Sequence, residues 1–364
     1  MRRLDRYLFR ELLTPLAYCL IGIESFMIIV TVFGEGEKIQ QAKLHFFETI
    51  EYAAATSLEN VAIIFPVSFL LALLMALTQH ARHNELTAMR AAGISLWRIC
   101  LPYFIVGLVM SGVLFALNEL VVPRSLDWAS RLANRYNAAA NAAKGPTRLD
   151  FANEQAHREW MIADYHAATG EMRGIEVVET LPDGTKSQLY ADRAIHTNGV
   201  WMFYNVNEVR NEAPYLTTNI LAMPEFDETV EEINAEVKIG QYLTPGSMHS
   251  ASIPLNQIFS YLRWHPHLPR ADSGRLLTDM QERLAMPLTC LVVAFIAIPF
   301  GAAPGRRNLF FGVAGSIFIC FTYFVLQRVC SAFGASGAWP PWLAAWLPNF
   351  FFSILGLILT ARIR

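Results

Sequence analysis

The sequence predicts an α-helical membrane protein of six transmembrane helices, with an all-β, jelly-roll-like domain inserted between the third helix and the fourth. Three observations lead there. Six apolar stretches stand apart along the 364 residues, each near the ~20 residues an α-helix needs to cross a bilayer. Charged residues make up 16% of the chain, against about 25% in an ordinary soluble domain. Between the third and fourth stretches the pattern changes to short β-branched and aromatic runs divided by turn dipeptides, the mark of antiparallel strands.

The stretches are 12–33 (LLTPLAYCLIGIESFMIIVTVF), 61–78 (VAIIFPVSFLLALLMALT), 99–122, 284–301 (LAMPLTCLVVAFIAIPFG), 309–329 and 342–360. Core helices of a soluble protein would not repeat so often at one length. The first stretch exceeds the ~7–15 apolar residues of a signal peptide, and no small-residue cleavage site follows it promptly, so it is expected to stay as span one. Arg2, Arg3, Arg6 and Arg10 precede it. Arg82, Arg90 and Arg98 lie between spans two and three, Arg306 and Arg307 between four and five, and Arg362 and Arg364 after six. The short loops on the other side carry only Lys38 and Lys43, so both termini and the arginine-bearing loops are expected in the cytoplasm. Pro15, Pro66, Pro102, Pro287 and Pro299 fall within spans. Each lacks an amide N–H, so bent helices are expected.

The chain divides into 1–123 (spans one to three), 124–279 (the outward domain with flanking helices) and 280–364 (spans four to six). The domain opens with a helical run, DWASRLANRYNAAANAAKG, stopped at Gly145-Pro146. Strand-like runs follow: REWMIADYH, MRGIEVVET, KSQLYADRAIH and VWMFYNVNEVR, with Asp183-Gly184 and Asn198-Gly199 as hairpin dipeptides. A return helix over 254–264 leads back toward span four.

Several function classes fall away. A formal net charge of −2 offers nothing to nucleic acid. Cys19, Cys100, Cys290, Cys320 and Cys330 all lie in or beside apolar spans, so neither a disulfide framework nor a zinc site is indicated. The run DGTKS (183–187) orders its residues Gly-Thr-Lys-Ser between two strands. A phosphate loop needs Gly-Lys-Ser/Thr with an earlier glycine, so DGTKS is read as a turn and no ATP site is visible in the sequence. His80 and His83, with Glu85, lack the HExxH spacing of a metal site. They and His265 and His267 are read as interfacial or solvated histidines. No Ser/His/Asp spacing supports a hydrolase.

Two features remain. Glu24 lies mid-span, where a lone carboxylate is costly and faces a bundle interior or a wet cavity; a structural hydrogen bond and a functional role both fit it. At the outer end of the same span Glu35, Glu37 and Lys38 sit at headgroup depth, where Lys38 suits an anionic headgroup or a plain interfacial anchor. The second feature is the short polar stretch HNELTAMRAAGIS, 83–95. Asn84 can cap a helix, ELTAMRAA forms it, Gly93 stops it, and Ser95 caps the next. Leu86 and Met89 form an apolar ridge beside Ala88 and Ala92, with Glu85 in the first turn. Such a helix fits a groove in a cytosolic protein, or a membrane surface with Arg82 and Arg90 against lipid.

These residues carry a resemblance to a known family. LDRYLFRELL at 4–13, NELTAMRAAGIS at 84–95 and WPPWLAAWLPNFFFSILGLIL at 339–359 are similar, in that order, to the opening, the coupling helix and the final span of the LptF/LptG (YjgP/YjgQ) family of lipopolysaccharide export permeases. The resemblance covers essentially the full length. It implies a permease subunit of an ABC transporter in the bacterial inner membrane. A sister permease, LptF or LptG, pairs with it, and an LptB-like cytosolic ATPase dimer uses the ATP and Mg. LptC-like and LptA-like periplasmic proteins receive lipopolysaccharide from a jelly-roll domain. This chain itself would bind no cofactor. The resemblance makes Glu85, Leu86, Met89, Arg90 and Gly93 the ATPase-coupling set. It points to Phe26, Ile29, Phe33 and Lys38 on span one and Phe318, Thr322 and Val325 on span five as lipid-binding or gate residues. Glu24 joins that set on its position alone, and Glu35 and Glu37 before Lys38 depart from the basic character the family shows there. The last two spans lean toward the G-type subunit. The rival classes are an ion-coupled secondary transporter, resting on Glu24, and a membrane-anchored scaffold with a periplasmic binding domain.

Overall fold

The computed structural model describes residues 3–136, 149–154, 156–166, 170–181, 184–197, 199–210, 213–224, 226–243, 253–301 and 309–362. The chain forms two compact units: Met1–Ala133 with Arg270–Arg364, and Asn134–Pro269.

Among the described residues, the first unit holds six helices long and apolar enough to cross a membrane. α1 (Arg3–Gly34) is followed by a short α2 (Gly36–Gln41). α3 (Phe46–Ser57), a 3₁₀ turn at Leu58–Asn60 and α4 (Val61–Arg82) make one long second path. It starts well before the expected 61, because the two glutamates of FFETIEYAAATS mask an otherwise helical run. Glu48 also closes its first turn by accepting the His45 N–H at 2.9 Å. After α5 (Glu85–Ala91), the third path is α6 (Leu96–Ala116), a π-helical segment at Leu117–Val121 and α7 (Val122–Tyr136). α7 meets α3 through Tyr52, Ala129 and Leu132. The expected helix stop at Gly145-Pro146 lies outside the described residues.

Helices α10 (Arg270–Ala285) and α11 (Thr289–Gly301), joined by a 3₁₀ turn at Met286–Leu288, make the fourth path. α12 (Leu309–Ala335) and α13 (Pro341–Arg362) complete the set. Of the five prolines expected to bend helices, Pro287 sits in that 3₁₀ turn, whereas Pro15, Pro66, Pro102 and Pro299 lie inside continuous helices. Without water to drive apolar contact, such helices associate through small residues and polar bonds, and α11 shows both. A Cβ on Gly356 would stand 2.7 Å from the Phe295 backbone, and one on Gly301 would stand 2.7 Å from Leu77. Just before α11, a buried chain of hydrogen bonds spans the 3₁₀ turn. Thr289 Oγ1 lies 2.7 Å from the Tyr323 hydroxyl, Tyr323 donates to Asn349 Oδ1 over 2.6 Å, and Asn349 Nδ2 donates to the Ala285 carbonyl over 2.8 Å. Asn349 therefore satisfies a carbonyl two residues before Pro287, and the chain ties α10, α11, α12 and α13 together.

The second unit is one antiparallel sheet of six strands in sequence order: β1 Leu149–Asn153, β2 Arg158–His166, β3 Glu171–Thr180, β4 Lys186–Thr197, β5 Val200–Arg210 and β6 Ala213–Met223. The connections explain that order. Thr197 and Val200 are paired, and Gly199 (φ 80°) just before Val200 supplies left-handed backbone for a tight return. Short hairpins pair neighbours, so the described strands form an up-and-down meander without the crossed connections of a jelly roll. One face carries Trp160, Trp201, Phe203, Ile162, Ile175 and Val177 into a common core, closed by Phe226, by Ile233 of α8 (Val230–Leu243) and by Trp264 of α9 (Leu255–Trp264). Beyond β6 the fully buried Glu228 receives Arg158 Nη1 at 3.0 Å and Asn153 Nδ2 at 2.8 Å, while its carbonyl accepts Trp201 Nε1 at 2.6 Å. β1, β6 and α8 carry too weak a local pattern to be expected from sequence.

Candidate functional site

The stretch between α4 and α6 folds as a short capped helix. α4 ends at Arg82, and two residues on Asn84 has a left-handed φ of 59°, a conformation asparagine tolerates better than most residues. Asn84 holds the cap position through its backbone: its carbonyl accepts the Ala88 N–H at 3.0 Å, and its side chain makes no cap bond. The expected side-chain cap is thus corrected, because the left-handed backbone serves the end of α4. At the other end Gly93 (φ 82°) donates to the Arg90 carbonyl and Ile94 to that of Met89, which is the Schellman pattern. Ser95 Oγ then accepts the Arg98 N–H at 3.4 Å and starts α6.

Glu85 opens α5, and its carboxylate is held by donors from two other helices. The Tyr7 hydroxyl of α1 lies 3.1 Å from Oε1 and 3.0 Å from Oε2, and His80 Nδ1 of α4 lies 2.7 Å from Oε2. The Tyr7 and His80 rings stand 5.7 Å apart. His80 is buried, at 1% exposure, while the Glu85 side chain keeps 34%. This corrects the expectation of a solvated histidine. Burial works to raise the Glu85 pKa, but the hydrogen bonds from His80 and Tyr7 and the charges of His80 and His83 outweigh it and hold the carboxyl below its ordinary value. Nearby, Arg98 of α6 pairs with Asp5 of α1 at 2.8 Å.

Elsewhere on α5, Leu86 faces inward at 5% exposure and Met89 and Arg90 are half-buried, whereas Thr87, Ala88, Ala91, Ala92 and Gly93 are exposed. The apolar ridge read from the sequence therefore anchors the helix, and the free surface is made of small side chains beside Glu85. Tyr7 carried no local signal, since it pairs with a residue 78 positions away. The five-residue spacing of His80 and Glu85 across a turn was the visible hint.

On span one, Phe26, Ile29 and Phe33 are exposed, and on span five so are Phe318, Thr322 and Val325. Only 6% of the apolar window of span one is buried, against 67% for span four, so α1 presents a long unpartnered apolar face. Two carboxylates, Glu24 on α1 and Glu35 at the start of α2, are bonded to α3. Ser57 Oγ donates to Glu24 Oε1 over 2.6 Å, and the Tyr52 hydroxyl donates to Glu35 Oε2 over 2.5 Å. Lys38 is bound to Glu35 at 2.8 Å.

Six membrane-spanning helices, an inserted β-sheet unit and a short carboxylate-bearing helix between the second and third spans define a multi-pass membrane permease component. The chain matches the family model "Lipopolysaccharide export system permease LptF/LptG" over residues 6–362, and it belongs to that family of inner-membrane lipopolysaccharide export permeases. It is also 22% identical to the lipopolysaccharide export system permease protein LptG of Escherichia coli strain K12, over 371 residues covering 99% of this chain and 98% of that protein. The LptG protein of Escherichia coli O6:H1 strain CFT073 matches to the same extent.

Proposed function

We propose that this chain is one of two permease subunits of an ABC transporter that extracts lipopolysaccharide from the inner membrane and passes it to a periplasmic bridge toward the outer membrane. The observation that carries this is the family match over residues 6–362. The sister subunit is an LptF- or LptG-type permease; the LptG names of the two relatives favour the G-type position for this chain. An LptB-like ATPase dimer binds and hydrolyses ATP with Mg in the cytosol and docks on α5, where Glu85 meets a basic group and the small side chains of Thr87, Ala88 and Ala91 allow close approach. The termini and α5 lie in the cytoplasm and the β-sheet unit in the periplasm, where it hands lipid to LptC-like and LptA-like proteins. The exposed apolar faces of α1 and α12, with Phe26, Ile29, Phe33, Phe318, Thr322 and Val325, meet lipid acyl chains. Lys38, bound to Glu35, stands at headgroup level.

The test is purification of the tagged chain in mild detergent, with mass spectrometry of what accompanies it. A soluble ABC ATPase and a second permease are expected. Recovery of the chain alone, under conditions that keep other membrane complexes whole, would overturn the assignment.

A further inference from the structure

We infer that Tyr7 and His80 are positioning residues for the Glu85 carboxylate, fixing it in one orientation as the anchor for a cationic side chain of a soluble partner. The inference deepens the proposed function and rests on it. A glutamate at the start of a seven-residue helix is otherwise free to rotate, and freezing such a side chain on docking costs entropy. Here the ordering is already done. Tyr7 places its hydroxyl against both carboxylate oxygens, at 3.1 and 3.0 Å, and His80 donates to one of them at 2.7 Å.

The chemistry of His80 supports the assignment. Its ring is buried and Nε2 has no hydrogen-bond partner among the described residues, so the ring's one engaged nitrogen is Nδ1, aimed at Glu85. The carboxylate keeps 34% of its side chain exposed, open to a cationic group from outside. The groups that bear on it electrostatically are Tyr7, His80 and His83, and they favour its ionised form; Glu11 of α1 and Tyr103 of α6 share this environment. His80 ties the anchor to α4, and Tyr7 ties it also to α1, the helix with the open apolar face.

The experiment measures binding of the co-purifying ATPase to the full-length permease in nanodiscs, for the wild type and for Tyr7→Phe, His80→Leu, His80→Gln and Glu85→Ala. Charge-assisted hydrogen bonds of this kind support a loss of about tenfold in affinity for Tyr7→Phe and for His80→Leu. His80→Gln, whose amide still donates, recovers most of it. The pH midpoint below which binding is lost moves upward in Tyr7→Phe and His80→Leu, since Glu85 then protonates more readily; a merely structural role would leave it in place. If Glu85→Ala weakens binding while Tyr7→Phe and His80→Leu match the wild type in affinity and midpoint, the positioning role is overturned and the docking role stands. If Glu85→Ala itself binds as the wild type does, both fall.

Discussion

The Ser57 hydroxyl, fully buried, donates to Glu24 Oε1 over 2.6 Å, joining α3 to the middle of α1. Just past the end of α1, Tyr52 repeats the arrangement with Glu35, so two hydroxyl-to-carboxylate bonds fasten the first path to the second at two depths. Glu24 thus has a hydrogen-bond partner on the neighbouring helix, in keeping with a structural role. Ser57→Ala should leave a half-buried acceptor without its donor and cost about 1–3 kcal/mol of stability, read as a lowered Tm in nanodiscs. Glu24→Gln, which keeps a carbonyl to accept the bond, should cost far less. Equal Tm values for Ser57→Ala and wild type would remove the structural role.

Glu85→Ala should separate ATP hydrolysis from lipid movement or prevent ATPase docking altogether. The measurement is lipid extracted per ATP hydrolysed in proteoliposomes containing the whole complex. Coupled transport at the wild-type ratio would end the case for Glu85 as the transmitting residue. Thr87→Ala, on the same helix and exposed, serves as the comparison and should change stability by well under 1 kcal/mol.

What the sequence disclosed and what it hid follow from the range of the interactions. Six spans were legible because lipid forces each backbone to satisfy itself within one helix, and a helix closes its bonds locally. The meander was legible where Gly184 and Gly199, both at positive φ, allow tight returns. α3 was missed because Glu48 and Glu51 look like loop residues until Tyr52 is seen against Ala129 and Leu132 of α7. The glutamate of the coupling helix was visible by motif, but its donors were not: Tyr7 is 78 residues away, and no periodicity links them. Leu86 points inward for a similar reason, since the side of a short helix that faces the bundle is set by the helices around it.

Gly356 and Gly112 should respond oppositely to alanine. At Gly356 a Cβ would sit 2.7 Å from the carbonyl carbon and oxygen of Phe295, backbone that cannot step aside, whereas at Gly112 nothing lies within 4 Å. Gly356→Ala is expected to force α13 from α11 and cost about 1–3 kcal/mol. Gly112→Ala should be neutral or gain up to about 1 kcal/mol from helix propensity. Thermal unfolding of both variants in the same detergent decides it, and matched losses would mean that the α11–α13 approach is not set by the missing side chain.

Glu236 on α8 makes the stability of the β-sheet unit depend on pH. It is buried, at 7% exposure, and His265 Nδ1 stands 3.5 Å from Oε1, beyond a good hydrogen bond. Burial pushes its carboxyl up to about 8, so the folded chain keeps a proton that the unfolded chain releases near the ordinary ~4.3. Between those values the folded state binds more protons, and stability therefore falls as pH rises, by up to about 1.4 kcal/mol per unit. The contribution is complete below the unfolded value and is gone once pH passes the folded one. Glu236→Gln stays neutral at every pH and nearly keeps the shape. It should match the wild type at pH 4 and exceed it at pH 8.5, with slower hydrogen exchange in α8 of the full-length protein at the higher pH. A variant equally displaced from wild type at both values would show that Glu236 is ionised in the fold, with His265 as its counter-charge.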